Sequence, residues 1–201
     1  MSDSIYGAPK ADLTRKEERL SDDAFYVVSL NKMTVLFLLT LGMYQIYWNF
    51  KNWHLYRERS KYEEGLVKGV WPVPRSLFPQ FFTHSLFYKV QDHATAHARA
   101  LVWNVDTNAT LVVFLTIIVA VSSRLFDKGI GSPYSGSVAV VSIILAMFAY
   151  RSAQRQVNAA CGDPLGRSNQ HYTLANWAWM VTGGIFIALM IIGLMMAPEQ
   201  T

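Results

Sequence analysis

The sequence predicts an all-α, polytopic membrane protein: three full transmembrane helices and an N-terminal apolar helix that is re-entrant or interfacial. Three observations predict it. Residues 174–197 form 24 consecutive positions without a charged side chain, a helical length of about 36 Å against a hydrocarbon core of about 30 Å. Two further apolar stretches, about 109–126 and 137–150, flank the glycine-containing turn DKGIGSPYSG, which marks an antiparallel helical hairpin. The chain is 52% hydrophobic and only 16% charged, and its basic residues bracket the apolar runs. Lipid offers no partner to an open backbone, so apolar runs of this length span as helices.

The first apolar run, Met33 to Phe50, is 18 residues long, carries Thr40, Gly42, Gln45 and Asn49, and has Lys32 and Lys51 at its ends. Its length is near the lower bound for a span. The positive-inside rule separates the alternatives. Lys and Arg number 5 up to Lys32, 8 in residues 51–106, 2 at 124–136, 3 at 151–173 and none after. Four spans would divide them 7 against 11; a first run that dips and returns divides them 16 against 2. The polarised partition is favoured, with a cytoplasmic N-terminus and three spans at about 107–126, 136–155 and 174–197; if the first run crosses, there are four.

The chain then divides into three parts. Residues 1–24 mix both charges and read as a polar, flexible cytoplasmic tail rather than a signal peptide. Residues 25–106 are a membrane-associated aromatic region with an apolar helix at 33–50, an interfacial segment at 71–90 and a polar, alanine-rich helix at 91–104. In the interfacial segment Pro72, Pro74 and Pro79 forbid one continuous helix. Residues 107–201 form the transmembrane bundle, with Thr173 or Asn169 as N-cap of its last helix and Arg151 and Arg155 snorkelling to the interface.

The pattern TLGMYQIYWNFKNW, Thr40 to Trp53, places Tyr44, Tyr47, Trp48 and Trp53 where a helix meets the headgroups, the expected position of an aromatic belt. With Lys51 and Arg75 these residues are also the candidate contacts to a ligand or to lipid. Together with Phe25, Val28, Ser29 and Lys32, and with Pro74, Arg75, Leu77 and Phe78, this motif resembles a family of uncharacterised bacterial membrane proteins, catalogued as a domain of unknown function. Asn158 and the stretch 168–177 extend the likeness. The resemblance implies a bacterial inner-membrane protein and carries no catalytic residue with it.

His93 and His97 have the i, i+4 spacing of a two-histidine metal half-site, against the simpler reading of two polar residues on an interfacial helix. Gly183, Gly184, Ala188 and Gly193 make a small face on the last helix for packing within the bundle or against a second copy. The single cysteine, Cys161, excludes an intrachain disulfide and reads as a small buried residue.

The apolar cores of the spans hold no Asp, Glu, Lys, Arg or His, unlike ion-coupled transporters. Nucleic-acid binding is not expected, because topology accounts for the basic charge. No cofactor is expected. The sequence points to a non-enzymatic inner-membrane accessory, scaffold or interaction protein, with membrane lipids and a membrane-protein partner or a second copy as partners. The alternative is a carrier or channel-like protein for an apolar or uncharged solute, with Thr110, Thr116, Ser142, Asn176 and Thr182 as its polar lining; a metal-dependent enzyme using the two histidines is a third class.

Overall fold

The computed structural model describes residues 24–63, 69–132 and 134–196; the N-terminal tail expected at 1–24 lies almost wholly outside them. Among the described residues there are helices and no strand. The three long apolar helices are α5 (Val105–Asp127), α6 (Tyr134–Ala160) and α7 (Leu174–Met196), each long and apolar enough to cross a membrane. Before them come α1 (Leu30–Leu39), α2 (Tyr44–Glu63), α3 (Pro72–Leu77) and α4 (Pro79–Ala96), and one 3-10 turn, Arg167–Asn169, precedes α7.

The first apolar run is not one helix. It breaks at Thr40–Met43, where Leu41 (φ 50°) and Gly42 (φ 85°) take the left-handed region. Gly42 N–H donates to Phe37 C=O at 2.8 Å and Leu41 N–H to Leu38 C=O at 3.1 Å, the paired bonds that close a helix C-terminus. Thr40 then restarts the chain: its hydroxyl accepts from Tyr44 N–H at 3.0 Å, so one residue caps the end of α1 and the beginning of α2.

This turn lies deep among the spans. A methyl at Gly42 would stand 4.0 Å from Ile143, Gln45 Oε1 is 3.5 Å from the Thr116 hydroxyl, and the Leu39 carbonyl abuts Gly183. Thr116, Ile143 and Gly183 lie within about one turn of the midpoints of α5, α6 and α7. Both limbs leave the turn toward the same end of α6: Leu30 C=O accepts from Arg151, and Trp48 Nε1 donates to Gln154 Oε1. The α1–α2 pair is therefore a re-entrant hairpin. Ten residues of α1 measure about 15 Å, half the thickness of a hydrocarbon core.

Downstream, two prolines start two helices, as Pro at the first helical position does: α3 opens on Pro72 and α4 on Pro79. Trp71, Leu77, Phe78 and Phe81 remain exposed. His84 is 3.2 Å from the Thr110 hydroxyl and Tyr88 OH donates to Asp106 at 2.6 Å, so α4 runs antiparallel to the start of α5. The expected separate helix at 91–104 is absent. Instead α4 continues to Ala96, Ala98 adopts φ 53°, and Arg99 N–H returns to Ala94 C=O at 2.8 Å. The chain then runs irregularly to Asn104, whose side chain accepts from Thr107 N–H and caps α5.

α5 and α6 pack along each other as the expected hairpin. α7 departs from expectation: among the described residues its extensive packing is against α1 rather than α5 and α6. The expected three-helix bundle is thus an α5–α6 pair with the re-entrant hairpin inserted beside it, and α7 fastened to α1. Thr173 caps α7, accepting from Asn176 N–H at 3.3 Å while Asn176 Oδ1 accepts from Thr173 N–H at 3.0 Å. Arg155 is exposed, while Arg151 is half-buried between α6 and α1, where it donates to Leu30 C=O and the Thr34 hydroxyl.

Candidate functional site

The motif residues converge on a buried segment, residues 25–29, which lies extended between α2 and α6 with no strand partner. Its backbone groups need acceptors and donors, and side-chain amides supply them. Asn52 Oδ1 accepts from Tyr26 N–H at 3.0 Å. Gln154 Nε2 donates to Tyr26 C=O at 2.9 Å. Asn158 grips Val28 from both sides, accepting from its N–H at 3.2 Å and donating to its C=O at 2.9 Å. Asn169 Nδ2 donates to Val27 C=O at 2.9 Å. Gly166 lies flat on the Val28–Ser29 peptide, where any Cβ would come within 2.5 Å of backbone. Three parts of the chain thus treat this segment as a strand.

The aromatic residues complete the enclosure. Trp48 and Trp53 are wholly buried and Tyr44 nearly so, which corrects the expectation of a headgroup belt. The polar edge of Trp48 is satisfied by Gln154 on a helix 106 positions away, not by water or lipid. Tyr44 OH donates to Tyr26 OH at 3.3 Å. Tyr47 is the exposed member, packing edge-on against Tyr26 at 5.7 Å. Lys51 is half-buried. The Arg75 guanidinium sits 4.3 Å over the Trp53 ring and 4.9 Å over Phe82, pinning α3 to α2 by cation–π contact. Lys32 is buried, and its ammonium donates to Asn169 Oδ1 and to His171 C=O, each at 2.7 Å. Cys161 is buried as expected, its Sγ 3.9 Å from Phe25 C=O.

His93 and His97 do come together, ring centroids 4.2 Å apart. Arg59 reaches His93 Nδ1 at 3.0 Å, and His97 Nδ1 donates to the His93 carbonyl at 2.8 Å. Two ring nitrogens are thereby committed, and the guanidinium repels a cation. Among the described residues no group of three His, Cys, Asp or Glu gathers in one place. Burial, and then the charge of Arg59, push His93 down to about 4. In the unfolded chain it would titrate near 6.5. From about pH 6.5 down to about 4 only the unfolded state takes up this proton, so stability falls as pH falls through that window and levels off below it. The His93→Gln variant is expected to lose this slope in detergent unfolding curves, whereas an unchanged slope would place its origin elsewhere.

The glycine set divides. Gly183 meets the Leu39 carbonyl, while Gly184 and Gly193 have open space where a side chain would stand, and Ala188 is exposed. The polar residues weighed as a pathway do not share a lining. Thr110 faces His84, Thr116 donates to its own helix at Val112 C=O, Asn176 serves the α7 cap, and Thr182 is exposed.

Sequence reasoning missed Tyr26, Asn52 and Gln154 as members of the network. One signal was present: Gln154 and Asn158 stand one turn apart on the face of α6 that also carries Ala146, Tyr150, Ala153 and Val157. Two amides on an otherwise apolar helix face require buried partners. No protein-family model, curated protein or solved structure matches the chain.

Proposed function

We propose that the protein is a non-enzymatic accessory or scaffold protein of a bacterial inner membrane, its N-terminus cytoplasmic, acting through protein and lipid contacts. The observation that carries this reading is the distribution of surfaces. The buried amides are engaged in holding residues 25–29, whereas α7 is apolar and bare over nearly all its length, touching the rest of the chain mainly along α1. A span fastened along one line offers the rest of its circumference to lipid or to another membrane helix. The likeness of the Thr40–Trp53 motif to the uncharacterised bacterial family supports the location, as does the 16-to-2 division of basic residues.

Gentle purification in native lipid followed by mass spectrometry tests the reading. A stoichiometric membrane-protein partner is the expected result. An uncharged solute bound at stoichiometric level with no partner would contradict it and favour a carrier.

A further inference from the structure

Between α1 and α6 opens a groove of about 440 Å³ lined by Asn31, Thr34, Val35, Met147, Phe148 and Arg151. Its two ends differ in chemistry. Asn31, Thr34 and Arg151 stand at the end away from the hairpin tip. Relative to Asn31 and Arg151, Val35, Met147 and Phe148 lie about one turn deeper along their helices, toward the level of the tip, with Thr34 one position before Val35. A polar end at the outer level of the hairpin and an apolar end toward mid-depth follow the polarity of a bilayer leaflet.

Arg151 dominates the polar end. Its Nη1 donates to Leu30 C=O at 2.8 Å and to the Thr34 hydroxyl at 2.7 Å. A guanidinium has five N–H donors, and the others have no partner among the described residues; nor does a carboxylate pair with Arg151 there. A half-buried cation with a spare planar fork suits a phosphate oxygen pair. The apolar wall directly beneath suits a hydrocarbon chain and gives a free anion nothing to bury.

We infer that this groove holds one anionic phospholipid, its phosphodiester on Arg151 beside Asn31, and the first part of an acyl chain along Val35, Met147 and Phe148. The volume suits a headgroup and the start of a chain, the remainder staying in the bilayer. The bound lipid fills the seam between the re-entrant hairpin and α6. This inference rests on the lipid-contact reading above and names its lipid class.

The test is native mass spectrometry of the full chain, delipidated in detergent and titrated with phosphatidylglycerol or phosphatidylcholine. One phosphatidylglycerol per chain is expected, favoured about tenfold, with an Arg151→Met variant weakened by about 10- to 100-fold, the worth of charge-assisted hydrogen bonds. Because Arg151 also holds Leu30 and Thr34, a second variant, Val35→Trp, fills the apolar end and leaves the guanidinium in place; it is expected to lose the lipid too. Arg155→Met, outside the groove, is expected to retain it. Undiminished binding by Val35→Trp, equal retention of the two lipids, or displacement by inorganic phosphate would each overturn the inference. Recovery of a protein partner is scored on separate native-lipid preparations, so failure of the groove and failure of the scaffold reading are told apart.

Discussion

Replacing Asn158 with leucine is expected to destabilise the protein by about 3–5 kcal/mol, the largest effect of any single polar substitution on α6. The side chain makes three buried hydrogen bonds: with Val28 N–H, with Val28 C=O, and with Gln154 Nε2 at 2.6 Å. Leucine has the volume but no donor or acceptor. It leaves two backbone groups and one amide hydrogen unpaired inside the fold, at roughly 1–3 kcal/mol each, partly relieved by local rearrangement. Arg155→Ala, exposed one turn away, is expected to stay within about 0.5 kcal/mol. Unfolding of the two variants in detergent micelles compares them directly. A loss below about 1 kcal/mol for Asn158→Leu would mean that the 25–29 segment is held by its apolar contacts alone.

The second large effect lies on α7. A side chain at Gly183 would overlap the carbonyl of Leu39, whereas one at Gly184 meets open space. Gly183→Leu is therefore expected to push α7 off α1, with a penalty at the upper end of the roughly 1–3 kcal/mol typical of overpacking. Gly184→Leu is expected to be neutral or slightly stabilising, since leucine is the better helix former. Two adjacent glycines with opposite outcomes distinguish close backbone approach from a general need for small residues. Equal penalties at both positions would instead indicate a second helix packed on the Gly184 side.

Much of the architecture was legible because the membrane imposes a few strong rules. Charge-free length marks α5 and α7 to within a few residues, α6 runs on past its expected end at 155 to Ala160, and the division of basic residues favours a first apolar run that dips and returns. Thr173 as a cap was readable from its residue type. The break within that run was not, because its left-handed residues are Leu41 and Gly42 together, and a lone glycine inside an apolar run is not by itself a break signal. A leucine carries no local mark of a turn; the conformation is sustained by packing of the tip against α5, α6 and α7. Ala98 ends α4 in the same way, which hid the helix boundary there.

The aromatic motif was misread for a related reason. Trp48 at a membrane boundary has the same local signature whether its N–H faces headgroups or a buried amide. What decides is Gln154, brought alongside only by the fold. The resemblance motif, read as surface, is for the most part the interior of the hairpin and its seal on residues 25–29: Phe25, Val28, Trp48, Asn52 and Trp53 are all essentially inaccessible. Tyr47, Lys51 and the exposed aromatics of 71–81 remain the residues of that region that a partner or lipid can reach.

Substituted-cysteine labelling tests the central claim, that three helices span and the α1–α2 hairpin does not, most directly. Cys161, the single native cysteine, is buried and can be replaced by serine. New cysteines at the exposed positions Asn31, Gln91 and Ile130 bracket the hairpin with the interfacial segment, and then the α5–α6 turn. With a membrane-impermeant thiol reagent on oriented vesicles, positions 31 and 91 are predicted to react from one face and position 130 from the other. Reaction of 31 and 91 from opposite faces would mean that the first apolar run crosses the bilayer, and would contradict the account.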